Sequence, residues 1–351
     1  MRAAVAVALR RWWAGEGGTA GRVLSAAALP AELLFRSAAS LRARAYDAGL
    51  LRVGRAPLPV ISVGNLTVGG TGKTPLVRWI ASQLVAAGRR PALLVRGYGR
   101  DEVLLHRRWH PQVPVHVDPD RLRGARAAAA GGADVVLLDD GFQHRRLGRD
   151  LDIVVVAAEQ PFPGALLPRG PYREPAGALA RAGWVIVTRR AAAAGAAEHR
   201  ADAVRALAPG TRIARARLAL HGWTALDGGP AAAPASGGAL AVTAIGDPAS
   251  FAAMVERETG TRVERLDFPD HHEYSPADVA RIRAAARGRT VITTEKDAVK
   301  LEPHAAFLPD ARVLGVAIEL EAGEGELRAA LLAAAGADDA VAEAHPNTGN
   351  A

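Results

Sequence analysis

A run of aliphatic residues at 57–63 and a stretch with apolar side chains at helical spacing, Leu76, Val77, Ile80 and Leu84, flank the segment Gly69-Gly70-Thr71-Gly72-Lys73-Thr74. Strand, glycine turn and helix in that order commit this part of the chain to one supersecondary unit, a phosphate-binding loop. Such a turn aims unpaired backbone N–H groups and the positive end of a helix dipole at an anion. The reading assigns nucleotide phosphates to Thr67, Val68, Gly69, Gly70, Thr71, Gly72, Lys73 and Thr74. Lys73 would reach the outer phosphates, and the Thr74 hydroxyl would ligate Mg²⁺. Thr67 stands where the common pattern G-x-x-x-x-G-K-[ST] has its first glycine, although Gly64, Gly69 and Gly70 still make the approach glycine-rich. Lys73 carries a second signal: of 44 basic residues only Lys73, Lys296 and Lys300 are lysine. A chain that uses Arg almost everywhere else and a compact ammonium here points to a task that a forked guanidinium does not perform.

Downstream, short aliphatic runs at 91–95, 113–117, 134–138, 152–157 and 184–188 alternate with helical stretches. Runs of this kind are strands buried on both faces, so the spacing predicts an α/β fold with a parallel sheet whose ligands lie beyond the strands' carboxyl ends. A second α/β pattern follows, with strands at 239–245, 262–268, 290–294 and 312–318. Its turn Gly246-Asp247-Pro248 opens a helix but lacks a phosphate-loop pattern. The expected organisation is a basic amphipathic segment at 1–55, a P-loop domain at 56–180, a second, smaller α/β domain at 181–335 and a disordered tail at 336–351, with a flexible loop at 228–238.

The run at 134–138 leads into Asp139-Asp140-Gly141. An aliphatic strand that ends in acid delivers a carboxylate to the edge where a P-loop protein needs one for Mg²⁺. Adjacent acids repel unless they share a cation, so Asp139 reads as the metal-side residue, and Asp140 as serving either the metal or the nucleophile.

The formal charge of +8 suggests nucleic acid until its distribution is examined. Residues 1–60 hold nine Arg against three acids, a net of +6, which leaves +2 for the remainder. That balance excludes a long basic track for nucleic acid. The N-terminal excess sits among Leu24, Leu29, Leu33, Leu34, Phe35 and Leu41, with Trp12 and Trp13 beside Arg10 and Arg11. An Arg-rich amphipathic segment of this kind either lies on an anionic bilayer surface or packs as a helix with a solvated Arg face. The apolar run at 3–9 is too short to cross a membrane, and no small-residue cleavage site follows it, so neither a span nor a signal peptide is expected. With no cysteine, the chain has neither disulfides nor thiolate metal sites, and a reducing compartment is expected.

Six segments together resemble the tetraacyldisaccharide 4'-kinase family: GNLTVGGTGKTP around Lys73, RGYGR at 96–100, LLDDGFQHRRLGRD at 137–150, LPRGPYRE at 167–174, FPDHHEY at 268–274 and TTEKDAVKL at 293–301. They occur in order over about residues 20–320. The resemblance implies transfer of a phosphoryl group from ATP, with Mg²⁺, to the 4'-hydroxyl of an acylated glucosamine disaccharide 1-phosphate. It places that reaction at the cytoplasmic face of the inner membrane, in a peripheral protein whose active site lies in the cleft between two α/β domains. No obligate protein partner is implied. A sugar hydroxyl needs a group to accept its proton. The family's Asp-Glu pair matches Asp101-Glu102, although Val103 replaces a usual proline and the loop after Tyr98 is very short. His271 matches the histidine thought to tune that aspartate, ahead of its neighbour His272. Arg173-Glu174 matches an element whose acid is expected near Mg²⁺ and whose arginine is expected near phosphate, and Arg96 and Tyr98 are candidates for substrate or nucleotide contact. A membrane-associated P-loop regulatory ATPase is the alternative. It would share the loop and the basic start, but would need neither Asp101, His271 nor a second domain.

Overall fold

The computed structural model describes residues 8–9, 11–97, 99–234, 238–246 and 248–336. Most of the apolar run at 3–9, Arg10, Tyr98, Asp247, part of the 228–238 loop and all but the first residue of the expected disordered tail lie outside the described residues.

Helices α1 (Gly18–Ala27) and α2 (Leu29–Asp47) precede the sheet. The first series is β1 (Val60–Asn65), α3 (Lys73–Ala86), β2 (Pro91–Val95), α4 (Arg100–Trp109), β3 (Val115–Val117), α5 (Arg121–Ala130), β4 (Val135–Asp139), β5 (Leu151–Ala157), β6 (Trp184–Arg189), α6 (Ala194–Leu207) and β7 (Arg212–Thr224). The second is β8 (Ala239–Thr243), α7 (Pro248–Thr259), β9 (Val263–Asp267), α8 (Pro276–Ala286), β10 (Thr290–Thr294), α9 (Glu295–Leu301), β11 (Arg312–Ala322) and α10 (Glu324–Ala334).

The α/β class and the parallel strands are as the spacing predicts, but the two series share one sheet of 11 strands, ordered β3-β2-β4-β1-β5-β6-β7-β11-β10-β8-β9. Neighbouring strands run parallel except at β7 and β11, which pair antiparallel. The direction of the sheet therefore reverses there. Strand β6 pairs with β5, so it extends the P-loop half, and the reversal falls after β7 rather than at residue 181. The sequence reading does not anticipate β7. Arg212, Arg215 and Arg217 interrupt its apolar pattern, and its fully buried positions are only alanines, Ala214 and Ala216. Of these, Arg217 pairs across the seam with Glu319 of β11 at 2.6 Å, and Arg189 of β6 reaches Glu321 of the same strand.

Strand residues alternate between two buried layers, as a sheet covered by helices on both faces requires. Ile61 and Val63 of β1, Leu137 of β4, Ile153 and Val155 of β5 and Ile186 of β6 pack with Leu76, Ile80 and Leu84 of α3. Their neighbours Val60, Val136, Leu138, Val154 and Val185 face the opposite side. The last helix, α10, returns Leu327 and Leu331 to the α3 layer. Helix α2 is pinned by buried Glu32, which accepts the Leu166 N–H at 2.8 Å and pairs with Arg169.

Candidate active site

Strand β1 delivers the chain to the phosphate loop, and Asn65 at its end organises that loop. The Asn65 amide donates to Thr71 Oγ1 at 3.1 Å and accepts from Lys73 Nζ at 3.0 Å. Thr188 at the end of β6 fixes the loop from the other side, donating to the Thr71 carbonyl at 2.8 Å. Thr67, the departure from the common pattern, is buried and donates its hydroxyl to Gln160 at 2.9 Å, so here a side chain braces the turn. Gly72 precedes α3 at φ +92, and a Cβ there would sit 3.2 Å from Leu218, which leaves glycine as the residue that fits. No side chain caps α3, so its first-turn N–H groups are left for an anion.

The register that pairs Val63 with Asp139 places the end of β4 beside the loop leaving β1. Asp139 is buried and meets His106 Nε2 of α4 at 3.1 Å. The chain then turns sharply through Asp140 at φ 57. The turn is pressed against β1: a Cβ on Gly64 would fall 2.5 Å from that of Phe142. Asp140 lies 3.4 Å from Lys73 Nζ and 3.0 Å from Arg173. Burial alone would raise its carboxyl, but the charges of Lys73 and Arg173 outweigh it and hold the group below its usual value.

Asp101 opens α4 in the P-loop half and His271 follows β9 in the other, yet His271 Nδ1 lies 3.0 Å from each Asp101 carboxylate oxygen. Asp101 is 2% exposed. Burial pushes its carboxyl up, while the His271 hydrogen bond and the nearby Lys296 charge pull it down further, to about 2. The same hydrogen bond raises the His271 imidazole against its partial burial. His271 takes φ 60 and donates its N–H to the Ala244 carbonyl at 3.1 Å, so the backbone as well as the ring is fixed. His272 turns away, bonding Asp278 at 3.1 Å and stacking on Phe268.

Among the expected residues, the structure brings Lys73, Asp140 and Arg173 into one cluster and Asp101 and His271 into another, with Asp139 buried against the Asp101 helix. Glu174 pairs instead with Arg181 at 2.9 Å, and its second oxygen is buried without a protein partner. Two further charged groups lie here beyond the expected site residues. Lys296 lies 3.6 Å from Asp101 and 3.3 Å from Glu102; the scarcity of lysine was its signal. Arg121 is 1% exposed with its Nε unpartnered, and its charge reaches both Asp139 and Asp140. Burial, then the charges of Arg121, Arg146, Arg149 and Arg96, push the His144 imidazole down to about 4, which marks a dense cationic surround on this side. Nothing in the spacing distinguishes Arg121 from the chain's other arginines.

Thr74, Asp139 and Asp140 supply hard oxygen donors suited to Mg²⁺. No group of three or more His, Cys, Asp or Glu able to hold a metal occurs among the described residues. Mg²⁺ needs none, because one or two carboxylates with phosphate and water oxygens complete its shell.

The signature of the family described as Tetraacyldisaccharide-1-P 4'-kinase matches residues 24–103 and 100–336. A tetraacyldisaccharide 4'-kinase of Anaeromyxobacter dehalogenans (strain 2CP-C) is 42% identical over 361 aligned positions, covering 91% of this chain and 93% of the relative. One from Halorhodospira halophila is 40% identical, covering 88% and 91%. The crystal structure of the "apo" form of LpxK from Aquifex aeolicus in complex with ATP aligns with a TM-score of 0.70 at 27% identity, covering 89% of this chain and 99% of that one. With its signature and its relatives running through nearly the whole sequence, the chain belongs to the tetraacyldisaccharide-1-P 4'-kinase family.

Proposed function

We propose that the chain transfers the γ-phosphoryl group of ATP to the 4'-hydroxyl of a tetraacyldisaccharide 1-phosphate, with Asp101 as the proton acceptor. The observation that carries this reading is the 3.0 Å contact between Asp101 and His271, which joins a carboxylate of the P-loop half to an imidazole of the other half. A regulatory ATPase has no use for such a pair.

Lys73 and the α3 N-terminus hold the outer phosphates, and Arg173 keeps Asp140 ionised beside Lys73. Thr74, Asp139 and Asp140 would hold Mg²⁺, and Glu174, with one oxygen free of protein partners, is a further candidate. The metal's chemistry there is to neutralise charge on the phosphate oxygens. The acceptor oxygen attacks the γ-phosphorus, its proton passes to the Asp101 carboxylate, and ADP departs. His271 orients that carboxylate and favours its ionised form. The Nδ1 contact also supports a second reading, in which Asp101 orients the ring and His271 Nε2 takes the proton.

The lipid's approach is assigned to the N-terminal segment. Helices α1 and α2 expose Val23, Leu24, Leu33, Leu34 and Leu41 among Arg22, Arg36, Arg42 and Arg44. No helix among the described residues is long and apolar enough to cross a membrane. This face suits an anionic bilayer surface, with the protein peripheral at the cytoplasmic side of the inner membrane. The Trp12 and Trp13 indoles, expected at the interface, spend their N–H groups within the chain, on Ser25 at 2.8 Å and on the Pro168 carbonyl at 3.0 Å.

The test is to incubate the protein with γ-labelled ATP, Mg²⁺ and the disaccharide 1-phosphate lipid. Label on the lipid is the expected result. Phosphate released to water with none on the lipid would favour the ATPase.

A further inference from the structure

The segment Thr294-Glu295-Lys296-Asp297, which forms the start of α9, is not absorbed by phosphate binding or proton transfer as described. Each of its side chains nevertheless has a specific partner. Thr294 caps the helix, accepting the Asp297 N–H at 3.1 Å. Glu295 reaches into the P-loop half, accepting from Trp109 of α4 at 2.8 Å and from Arg78 of α3 at 3.1 Å. Asp297 is fully buried: it accepts the Ala244 N–H at 3.1 Å and pairs with Lys300 at 3.0 Å. The carbonyl of the same Ala244 holds the His271 N–H. Lys296 lies between the carboxylates of Asp101 and Glu102, at 3.6 and 3.3 Å. A cation in the first turn of a helix opposes the helix dipole, so its place there calls for a compensating partner.

We propose that the first turn of α9 is a positioning element for the Asp101–His271 pair, in which the Lys296 ammonium, 3.6 and 3.3 Å from the carboxylates of Asp101 and Glu102, holds the Asp101 carboxylate in place while Asp297 fixes the His271 backbone through Ala244. This inference rests on the kinase reading of the site. The groups facing Asp101 are His271, Lys296 and Lys300 as cations and Glu102 as an anion, with Asp139 beside Glu102 and Asp270 beside His271. Without the ammonium, the Asp101 carboxylate loses a cationic neighbour and faces the adjacent Glu102 uncompensated, so the proton acceptor is displaced. The ammonium is a compact point charge that the two carboxylates share at 3.6 and 3.3 Å, in keeping with lysine at this position of a chain that otherwise favours Arg.

The experiment is a double-mutant cycle on lipid labelling, with Lys296→Met and Asp101→Asn singly and together. Lys296→Met is expected to lower kcat about tenfold or more while the KM for ATP stays within about threefold, because the phosphate loop is untouched. In the Asp101→Asn background the same substitution is expected to change kcat by less than about twofold, since the carboxylate it serves is gone. Lys296→Arg should retain more activity than Lys296→Met. If the methionine variant does not fold, Lys296→Arg in the same two backgrounds gives the same comparison. A Lys296→Met variant with kcat near wild type, or a Lys296 variant that loses the same factor with and without Asp101, overturns the proposal. A wild-type chain that leaves the lipid unlabelled overturns the kinase reading instead.

Discussion

Asp101 and His271 are 170 positions apart, and the pair they form is the contact on which the proposed chemistry turns. A carboxylate held at about 2 is a weak base on its own, so the ring beside it matters both for orientation and for where the proton rests. The amide of His271→Asn offers a donor close to the position of Nδ1 but has no counterpart of Nε2. With Asp101 as acceptor, this variant should keep a substantial part of wild-type kcat. With His271 Nε2 as acceptor, it should lose about 10²–10⁴-fold, the usual contribution of a general base. Steady-state labelling of the lipid, with the KM for ATP measured alongside, separates the two.

At the scale of elements, helix α2 carries its own test. Leu34 and Leu41 are 74% and 70% exposed on a helix anchored to the body through buried Glu32. Replacing both with Glu leaves that anchor intact, but it removes apolar surface and adds charge of the wrong sign for an anionic bilayer. Sedimentation with anionic liposomes should fall several-fold while ATP affinity stays unchanged, and unaltered sedimentation would remove α2 from the membrane surface. The elements also show what could be read from the sequence. Strands β1, β4, β5 and β6 are aliphatic because both faces are covered, and such runs announce themselves. Strand β7 is hidden because arginines interrupt its apolar pattern, and the partner that answers Arg217, Glu319 of β11, lies far away in sequence. The phosphate loop and the Asp139-Asp140 turn were legible because local spacing sets them. Lys296 could be flagged by its rarity but not placed, and Arg121 by nothing, because burial among other cations is a property of the folded surroundings.

The whole molecule is one sheet whose two parallel halves oppose each other at the β7–β11 seam. Ligand sites of parallel strands gather at their carboxyl ends. Around the seam, α4 from one half meets α9 and the His271 loop from the other through Lys296, Glu295 and His271. On the proposed reading, the arrangement separates two tasks: Lys73 and its loop hold the donor, and the Asp101 pair receives the acceptor. Asp101→Asn is therefore the substitution that divides them most cleanly. The decisive measurement is the single-turnover rate of label transfer from ATP to the disaccharide lipid, taken together with the Kd for ATP. For Asp101→Asn, the rate should fall about 10²–10⁴-fold with the Kd within about threefold of wild type. A near wild-type transfer rate in that variant would contradict the account.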